Sequence, residues 1–353
     1  MQKIKFSICI PNYNYAHYLA ITIQSVLDQN YGNFEIIVAD NASTDNSLEV
    51  VKSFQDDRVH LVENRYNVGF APNLDKATEP STGDYMILLS SDDIMKPSAL
   101  EEYAKVIERY NGLENSLVIM SACDVIDSEG QVIGSKKSQT GDVTTFLDKT
   151  NSRDIENKEK NIEQYNGLHI LKGLLLASFQ PAGQFLTTCY SRKLYQVLEG
   201  YHSIMSVLPD AHFSHKLLFE NPKVIYLHKS LFAYRVHAAN NLHQEETMSN
   251  IKNLTDNYLF TQLYSKQQLA KTGLSGIDLK KAFIRTHCLK KAYYGMLRGK
   301  FKKWQHHYHF GLASYPKLML KEPIFYFVCC GRFLIPLFRM LYWMKKELEK
   351  KNV

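Results

Sequence analysis

No pair among the six cysteines (Cys9, Cys123, Cys189, Cys288, Cys329 and Cys330) has Cys-x-x-Cys spacing. This argues against a zinc module and against a disulfide framework, and fits a reducing compartment. A secretory core is lacking too: the apolar run after Lys3 and Lys5 stops at Asn12, which predicts a chain that stays in the cytoplasm. The turn after that first apolar run, Pro11-Asn12-Tyr13-Asn14, contains no glycine, against the glycine-rich phosphate loop expected of a nucleotidyl transferase. There is no internal repeat, and no uninterrupted apolar run of bilayer length. Pro323 to Met344 comes nearest, but Arg332, Pro336 and Arg339 break it, and two central arginines in a spanning helix would cost several kcal/mol.

Acidic residues are scarce at the end of the chain. Residues 281–353 hold 16 Lys and Arg against 3 Asp and Glu, whereas residues 1–280 hold 26 against 33. A basic tail therefore follows a mildly acidic body. Arg332 and Arg339, seven apart, share a helix face. Phe325, Tyr326, Phe327, Phe333, Phe338, Tyr342 and Trp343 suit headgroup depth, and Lys345, Lys346, Lys350 and Lys351 suit anionic lipid. The pattern predicts an interfacial segment at the inner face of the plasma membrane; packing on its own domain or in a homo-oligomer is the alternative. Lys300, Lys302, Lys303, Trp304, His306 and His307 could take phosphates, but no nucleic-acid-binding motif surrounds them, and no nucleic-acid partner is expected.

With 353 residues, 45% of them hydrophobic and 22% charged, the chain can bury a sizeable core and is long enough for two units. Phe6 to Ile10 reads as a buried strand. Leu19, Ile23, Val26 and Leu27 follow at helical spacing, and Phe34 to Ala39 as a second strand. Asn46 with Glu49, and Ser98 with Glu101, read as capping boxes opening two more helices, around strands at Val59 to Val62 and Tyr85 to Leu89. Strand–helix alternation predicts an α/β fold with a mostly parallel sheet and helices on both faces, whose ligands bind beyond the carboxyl ends of the strands. Residues 128–165 are polar and predict a loop or lid. A helix is expected over Leu168 to Leu176, a strand at Phe185 to Tyr190, a helix from Asp210 through Leu218, and helices from about Asn250 onward.

The chemistry collects where these strands end. Asp92 and Asp93 directly follow an apolar strand, so they either cap the next helix or share a hard divalent ion with diphosphate oxygens. Asp40 and Asn41 sit at the end of the second strand, as helix-start residues or as groups that read a base or ribose. Tyr13 either packs or stacks on that base. His212 and His215 lie three apart but lack a third zinc ligand.

Taken together, SICIPNYNYAHYL, EIIVADNASTDNS, NVGFAPN, GDYMILLSSDD and YRVHAANN resemble the family-two glycosyltransferases of the GT-A fold, over roughly residues 4–245. The resemblance implies a transferase domain over residues 1–245, with a nucleotide-binding half (1–125) and an acceptor half (126–245), followed by a helical basic region over 246–353. It implies that Pro11, Tyr13, Asp40, Asn41, Asn73, Ser91 and Arg235 hold the donor, a UDP-sugar. Asp92, Asp93 and His237 would hold Mn²⁺ or Mg²⁺, and Asp210 would be the base that deprotonates the acceptor hydroxyl in an inverting displacement. Gln180, Pro181 and Gly183 would face the acceptor, a glycan or lipid-linked glycan of surface polysaccharide synthesis. The chain departs from the common family pattern at three places: Ser90 replaces an aspartate, Pro72 replaces an arginine, and Pro209 precedes Asp210 where relatives show a glutamate. These departures keep a second class of function in view, a non-catalytic nucleotide- or glycan-binding subunit of an assembly complex.

Overall fold

Strands buried on both faces dominate the first part of the chain, as a parallel sheet requires. The computed structural model describes residues 4–112, 117–136, 162–177, 185–237 and 246–330, with a few positions beyond. By proximity along the backbone the chain divides into two compact units, one of residues 1–171 and 180–240, the other of residues 172–179 and 241–353.

In the first unit, β1 (Phe6–Asn12) pairs in parallel with β2 (Phe34–Asp40) and β4 (Tyr85–Leu88), and β2 with β3 (Val59–Glu63). The sheet order is β3-β2-β1-β4-β9-β6-β10-β5. The short β9 (Cys189–Ser191) runs antiparallel to both β4 and β6 (Leu117–Ile126), and β10 (Lys223–Arg235) runs parallel to β6. Strands β1 to β4, β6 and β10 therefore all point one way, and their carboxyl ends form a single edge. The register of β10 shifts between Leu227 and Phe232. Before this irregularity its outer side takes β8 (Ile162–Asn166), and after it β5 (Ile94–Met95), so the bend re-aims the strand end toward the segment that follows β4.

Helix α1 (Ala16–Leu27) buries Leu19, Ile23 and Val26 in the sheet's core, as its spacing predicts, and Thr22 with them. Helices α2 (Ser47–Ser53), α3 (Phe70–Thr78) and α4 (Ala99–Arg109) follow. Neither expected capping box forms: Asn46 and Ser98 stand at the N-cap positions without a side-chain cap bond. Asp45 instead accepts from the Ser47 amide and hydroxyl. The expected strand at 185–190 is a 3₁₀ turn (Phe185–Thr187) followed by β9. The polar stretch 128–165 contributes β7 (Val132–Lys136) and the start of β8; its middle lies outside the described residues, as do Gln180, Pro181 and Gly183.

The opposite edge of the sheet is held by a buried carboxylate. Glu35 is 6% exposed and accepts from Lys5 Nζ (2.7 Å), Ser7 Oγ (2.6 Å), Thr82 N (2.6 Å) and Thr82 Oγ1 (2.8 Å). Burial pushes its carboxyl up, but the four donors outweigh that and hold it at about 2. Gly83 donates to Ser7 Oγ so closely that a Cβ there would lie 2.7 Å from Ser7 N, so only glycine fits.

The second unit is helical around its own core of Leu254, Phe283, Ile284, Leu289, Met296, Trp304, Tyr308, Phe325 and Val328. Trp304 Nε1 donates to the Val328 carbonyl at 2.9 Å, and Gly295 allows the backbone at Trp304 to approach, since a Cβ would stand 2.8 Å from Trp304 N. Trp304 and His307 are buried core residues rather than surface phosphate ligands, and Phe325 packs inward rather than toward a headgroup layer. Ile324, Tyr326, Phe327, Phe333, Leu337 and Met340 are exposed. Among the described residues no helix is long and apolar enough to cross a membrane.

Candidate active site

The segments leaving β1 and β2 are zipped together at the carboxyl edge. Asp40 accepts from Asn12 Nδ2 (2.9 Å), Ser43 N (2.9 Å) and Ser43 Oγ (2.6 Å). Asn14 accepts from Thr44 N at 2.7 Å, and Asp45 from Ala16 N at 2.9 Å. Asn14 and Ala42 adopt left-handed backbone, φ 59° and 57°; asparagine tolerates this because its short amide bonds locally. Asn41 donates to Asn67 Oδ1 (3.0 Å) and the Gly69 carbonyl (3.2 Å) and accepts from Val68 N (2.8 Å) and Asn64 Nδ2 (3.3 Å). Asn73 donates to the Ala39 carbonyl (3.1 Å) and accepts from Asn64 Nδ2 (2.8 Å).

Asp40, Asn41 and Asn73 are buried, and their polar atoms are engaged by the protein itself. They hold the loops at this edge in place, since a buried polar group left unbonded is costly. Pro11 stays partly accessible, and Tyr13 is 42% exposed at the end of β1.

The Ser90–Asp93 segment is pinned from beneath. Thr22 Oγ1 donates to the carbonyls of Ser91 (3.0 Å) and Asp93 (2.8 Å), and Gln29 Nε2 to that of Lys96 (2.7 Å) while its Oε1 accepts from Leu100 N (3.1 Å). Ser91 is buried. The end of β10 closes on the same segment: Arg235 N donates to Asp93 Oδ1 at 2.9 Å, Arg235 Nε to the Asp92 carbonyl at 2.8 Å, and Arg235 Nη1 to the carbonyls of Asp127 and Ser128 at 3.1 Å. Its guanidinium carbon sits 4.6 Å from the Tyr18 ring centre. Arg235 is 2% exposed and ties together two loops and helix α1, its charge met by carbonyls and the Tyr18 ring. Asp93, through Oδ1, likewise anchors the end of β10.

His237 and Asp92 are brought together. His237 Nε2 lies 3.0 Å from Asp92 Oδ2, with both side chains largely buried. Tyr15 and Tyr18 flank the imidazole at 5.7 and 4.9 Å between ring centres. Burial, then Asp92 and Asp93, push the Tyr15 hydroxyl's pKa well up. Among the described residues no three His, Cys, Asp or Glu side chains converge as a metal centre. One carboxylate and one imidazole, 3.0 Å apart, are nonetheless a fitting partial set. In donor type they would suit a hard divalent ion, which ordinarily completes its shell with water and substrate phosphate.

Asp210 is half-buried in the first turn of the helix Pro209–Phe219. A short turn, residues 220–222, joins this helix to β10. Burial raises the Asp210 pKa, offset in part by the Ala211 amide, which donates to Oδ1 at 2.8 Å. Nearby, burial and Lys216 hold His212 at about 4, and burial and His212 hold His215 at about 3; both are neutral side chains of a packed helix. Sequence reasoning passed over Thr22, Gln29, Tyr15 and Tyr18. A threonine within the buried stripe of α1 was the signal for the first, since a buried hydroxyl requires a partner.

A mostly parallel sheet with its acidic segment, histidine and clamped loops at one edge is an α/β protein of the class that takes its ligand beyond the carboxyl ends of the strands. Residues 7–170, a little under half of the chain, match the family model described as Glycosyl transferase family 2. It is 31% identical over 163 residues to UDP-Glc:alpha-D-GlcNAc-diphosphoundecaprenol beta-1,3-glucosyltransferase WfgD of Escherichia coli, covering 42% of this chain and 62% of that protein. Glycosyltransferase GlyG of Streptococcus pneumoniae is 24% identical over 290 residues, 81% of this chain and 87% of that one. Other curated relatives are matched over only 39 to 42% of their length. In fold, the chain resembles TarS 1-349 of S. aureus in complex with UDP-GlcNAc, with a TM-score of 0.60 and 14% identity over 98% of this chain and 92% of that one. It also resembles the mannosyltransferase PcManGT from Pyrobaculum calidifontis in complex with GDP-Man and Mn²⁺, with a TM-score of 0.51 and 14% identity over 96% and 88%.

Proposed function

We propose that the chain is an inverting glycosyltransferase that moves a sugar from a UDP-sugar to a hydroxyl of a glycan or lipid-linked acceptor in surface polysaccharide synthesis. The observation that carries this is the Asp92–His237 pair, 3.0 Å apart at the edge where the β1 and β2 loops are tied together. Asp92 and His237 would hold Mn²⁺ or Mg²⁺, with donor oxygens supplying further ligands. When bound, such an ion neutralises charge gathering on the departing diphosphate. Tyr13, exposed beyond β1, offers a stacking face for the base. Pro11, partly accessible two residues before Tyr13, would line the donor site, and Ser91 holds the acidic segment in register through its carbonyl bond to Thr22.

The acceptor hydroxyl gives its proton to an Asp210 carboxylate oxygen as the hydroxyl oxygen attacks the anomeric carbon; the bond to the diphosphate breaks, and the configuration inverts. A carboxylate whose pKa is raised by burial is a better base than an exposed aspartate. WfgD's name supplies the model for donor and acceptor class. The exposed Ile324, Phe327, Phe333, Leu337 and Met340, beside a strongly basic end, favour contact with an anionic bilayer at its cytoplasmic face.

A thermal-shift screen of UDP- and GDP-sugars with and without Mn²⁺, followed by assay of nucleotide release onto candidate acceptors, tests the activity. A metal-dependent shift and release with a UDP-sugar is expected; no shift and no release with any donor would refute the reading. Removing residues 320–353 should abolish co-sedimentation with phosphatidylglycerol vesicles, and unchanged sedimentation would refute the membrane assignment.

A further inference from the structure

We propose that Asp75 is a positioning residue that locks the Asp210 helix to the donor-side helix α3. The inference rests on Asp210 serving as the acceptor-side base.

Asp75 lies on α3 two residues beyond Asn73, whose amide holds Asn64 and the backbone of β2. Its carboxylate reaches away to a tight segment before the Asp210 helix: Tyr201 N donates to Oδ1 at 2.7 Å, and His202 N to Oδ2 at 3.2 Å. Glu199, Gly200 and His202 have φ of 55°, 82° and 29°. Residues bearing a Cβ adopt such backbone only where surrounding contacts impose it. At Gly200 a Cβ would stand 3.0 Å from Asp75 Oδ1, so the contact with Asp75 leaves little room for any other residue.

The Asp210 helix grips the same segment from its other side. Lys216 Nζ donates to the carbonyls of Gly200 (2.8 Å) and Tyr201 (3.2 Å), and His212 Nδ1 lies 3.0 Å from Ser203 Oγ. Positions 212 and 216 are one turn apart on one helix face, so the two contacts fix the helix's rotation about its axis and with it the direction in which Asp210 points. A second strut runs in parallel: Thr78 Oγ1 on α3 lies 2.9 Å from Tyr195 Oη, and Tyr201 stacks on Phe213 at 4.2 Å. The 200–203 segment is thus a wedge held by an anion from α3 and a cation from the Asp210 helix. Because the base must be aimed at the acceptor oxygen, a small rotation of its helix lowers turnover without touching donor contacts.

The test uses the full chain with the nucleotide sugar selected by the thermal-shift screen, and compares Asp75→Asn, Asp75→Ala, Lys216→Met and Asp75→Ala/Lys216→Met. Expected are a kcat for transfer about 30-fold lower in Asp75→Ala and about 5-fold lower in Asp75→Asn, which keeps one acceptor oxygen, with donor KM within about 2-fold of wild type. The double variant should be no worse than the poorer single one, since both act through one wedge. Donor hydrolysis to water, which needs no aimed acceptor, should change less than transfer. If Asp75→Ala does not fold, Asp75→Asn and Lys216→Met give the same readout. Unchanged kcat, a loss confined to donor KM, or full additivity would overturn the proposal. Asp210→Asn run alongside separates the two readings: transfer surviving there removes the base assignment, whereas transfer lost there and intact in the Asp75 variants removes the lock alone.

Discussion

Replacing Glu35 by glutamine tests whether the edge opposite the candidate site serves stability alone. The carboxylate sits 6% exposed among four donors. Held at about 2 instead of the ordinary glutamate value of 4.5, it contributes about 3 kcal/mol at neutral pH. Lys5 is one-third exposed and its share is screened by solvent; Ser7 and Thr82 carry the larger part. Because the folded-state pKa is depressed, the contribution is complete above the unfolded value and is lost as pH falls toward 2. Urea unfolding of wild type and Glu35→Gln should therefore differ by about 3 kcal/mol at pH 7, about 2 at pH 3.5 and about 1 at pH 2.5. Transfer kcat at 25 °C should be unchanged, since the site lies at the other ends of the strands. A difference independent of pH would refute the ionic account, and a large loss of kcat in a folded variant would refute the division of labour between the two edges.

Three further outcomes are expected. Asp92→Asn should lower transfer about 100-fold or more and remove the Mn²⁺-dependent part of the thermal shift with UDP, as measured by nucleotide release and differential scanning fluorimetry. Asp210→Asn should abolish transfer yet raise the melting temperature at pH 7: the folded-state pKa is raised, so the group favours folding below its unfolded value and opposes it once ionised. The acid limb of the wild-type kcat profile should accordingly lie above the ordinary aspartate range. Thr22→Val should cost about 1–2 kcal/mol in urea unfolding and lower kcat about 10-fold, because the Ser91 and Asp93 carbonyls lose their shared donor.

Local sequence determined the parts whose physics is local. Apolar runs at 6–10, 34–39 and 85–88 had to be strands, the period of Leu19, Ile23 and Val26 had to be a helix, and polar residues just past each strand had to gather at one sheet edge. Family motifs singled out Asp92, His237 and Asp210. β6 and the long β10 went unread as strands, although both are largely buried, because an apolar run alone does not tell a strand from a buried helix.

Only tertiary structure decided what each polar group does. Asp40, Asn41, Asn73, Asp93 and Arg235 carry residue types that suit a ligand, and the fold also sets each of them to holding loops. Asp75, unremarkable in the sequence, accepts from the Tyr201 amide, 126 residues further along the chain. A motif gives the chemical capability of a side chain; which partner meets it depends on segments over a hundred residues away, such as the end of β10 against the turn after β4, and that distance is closed only by the folded sheet.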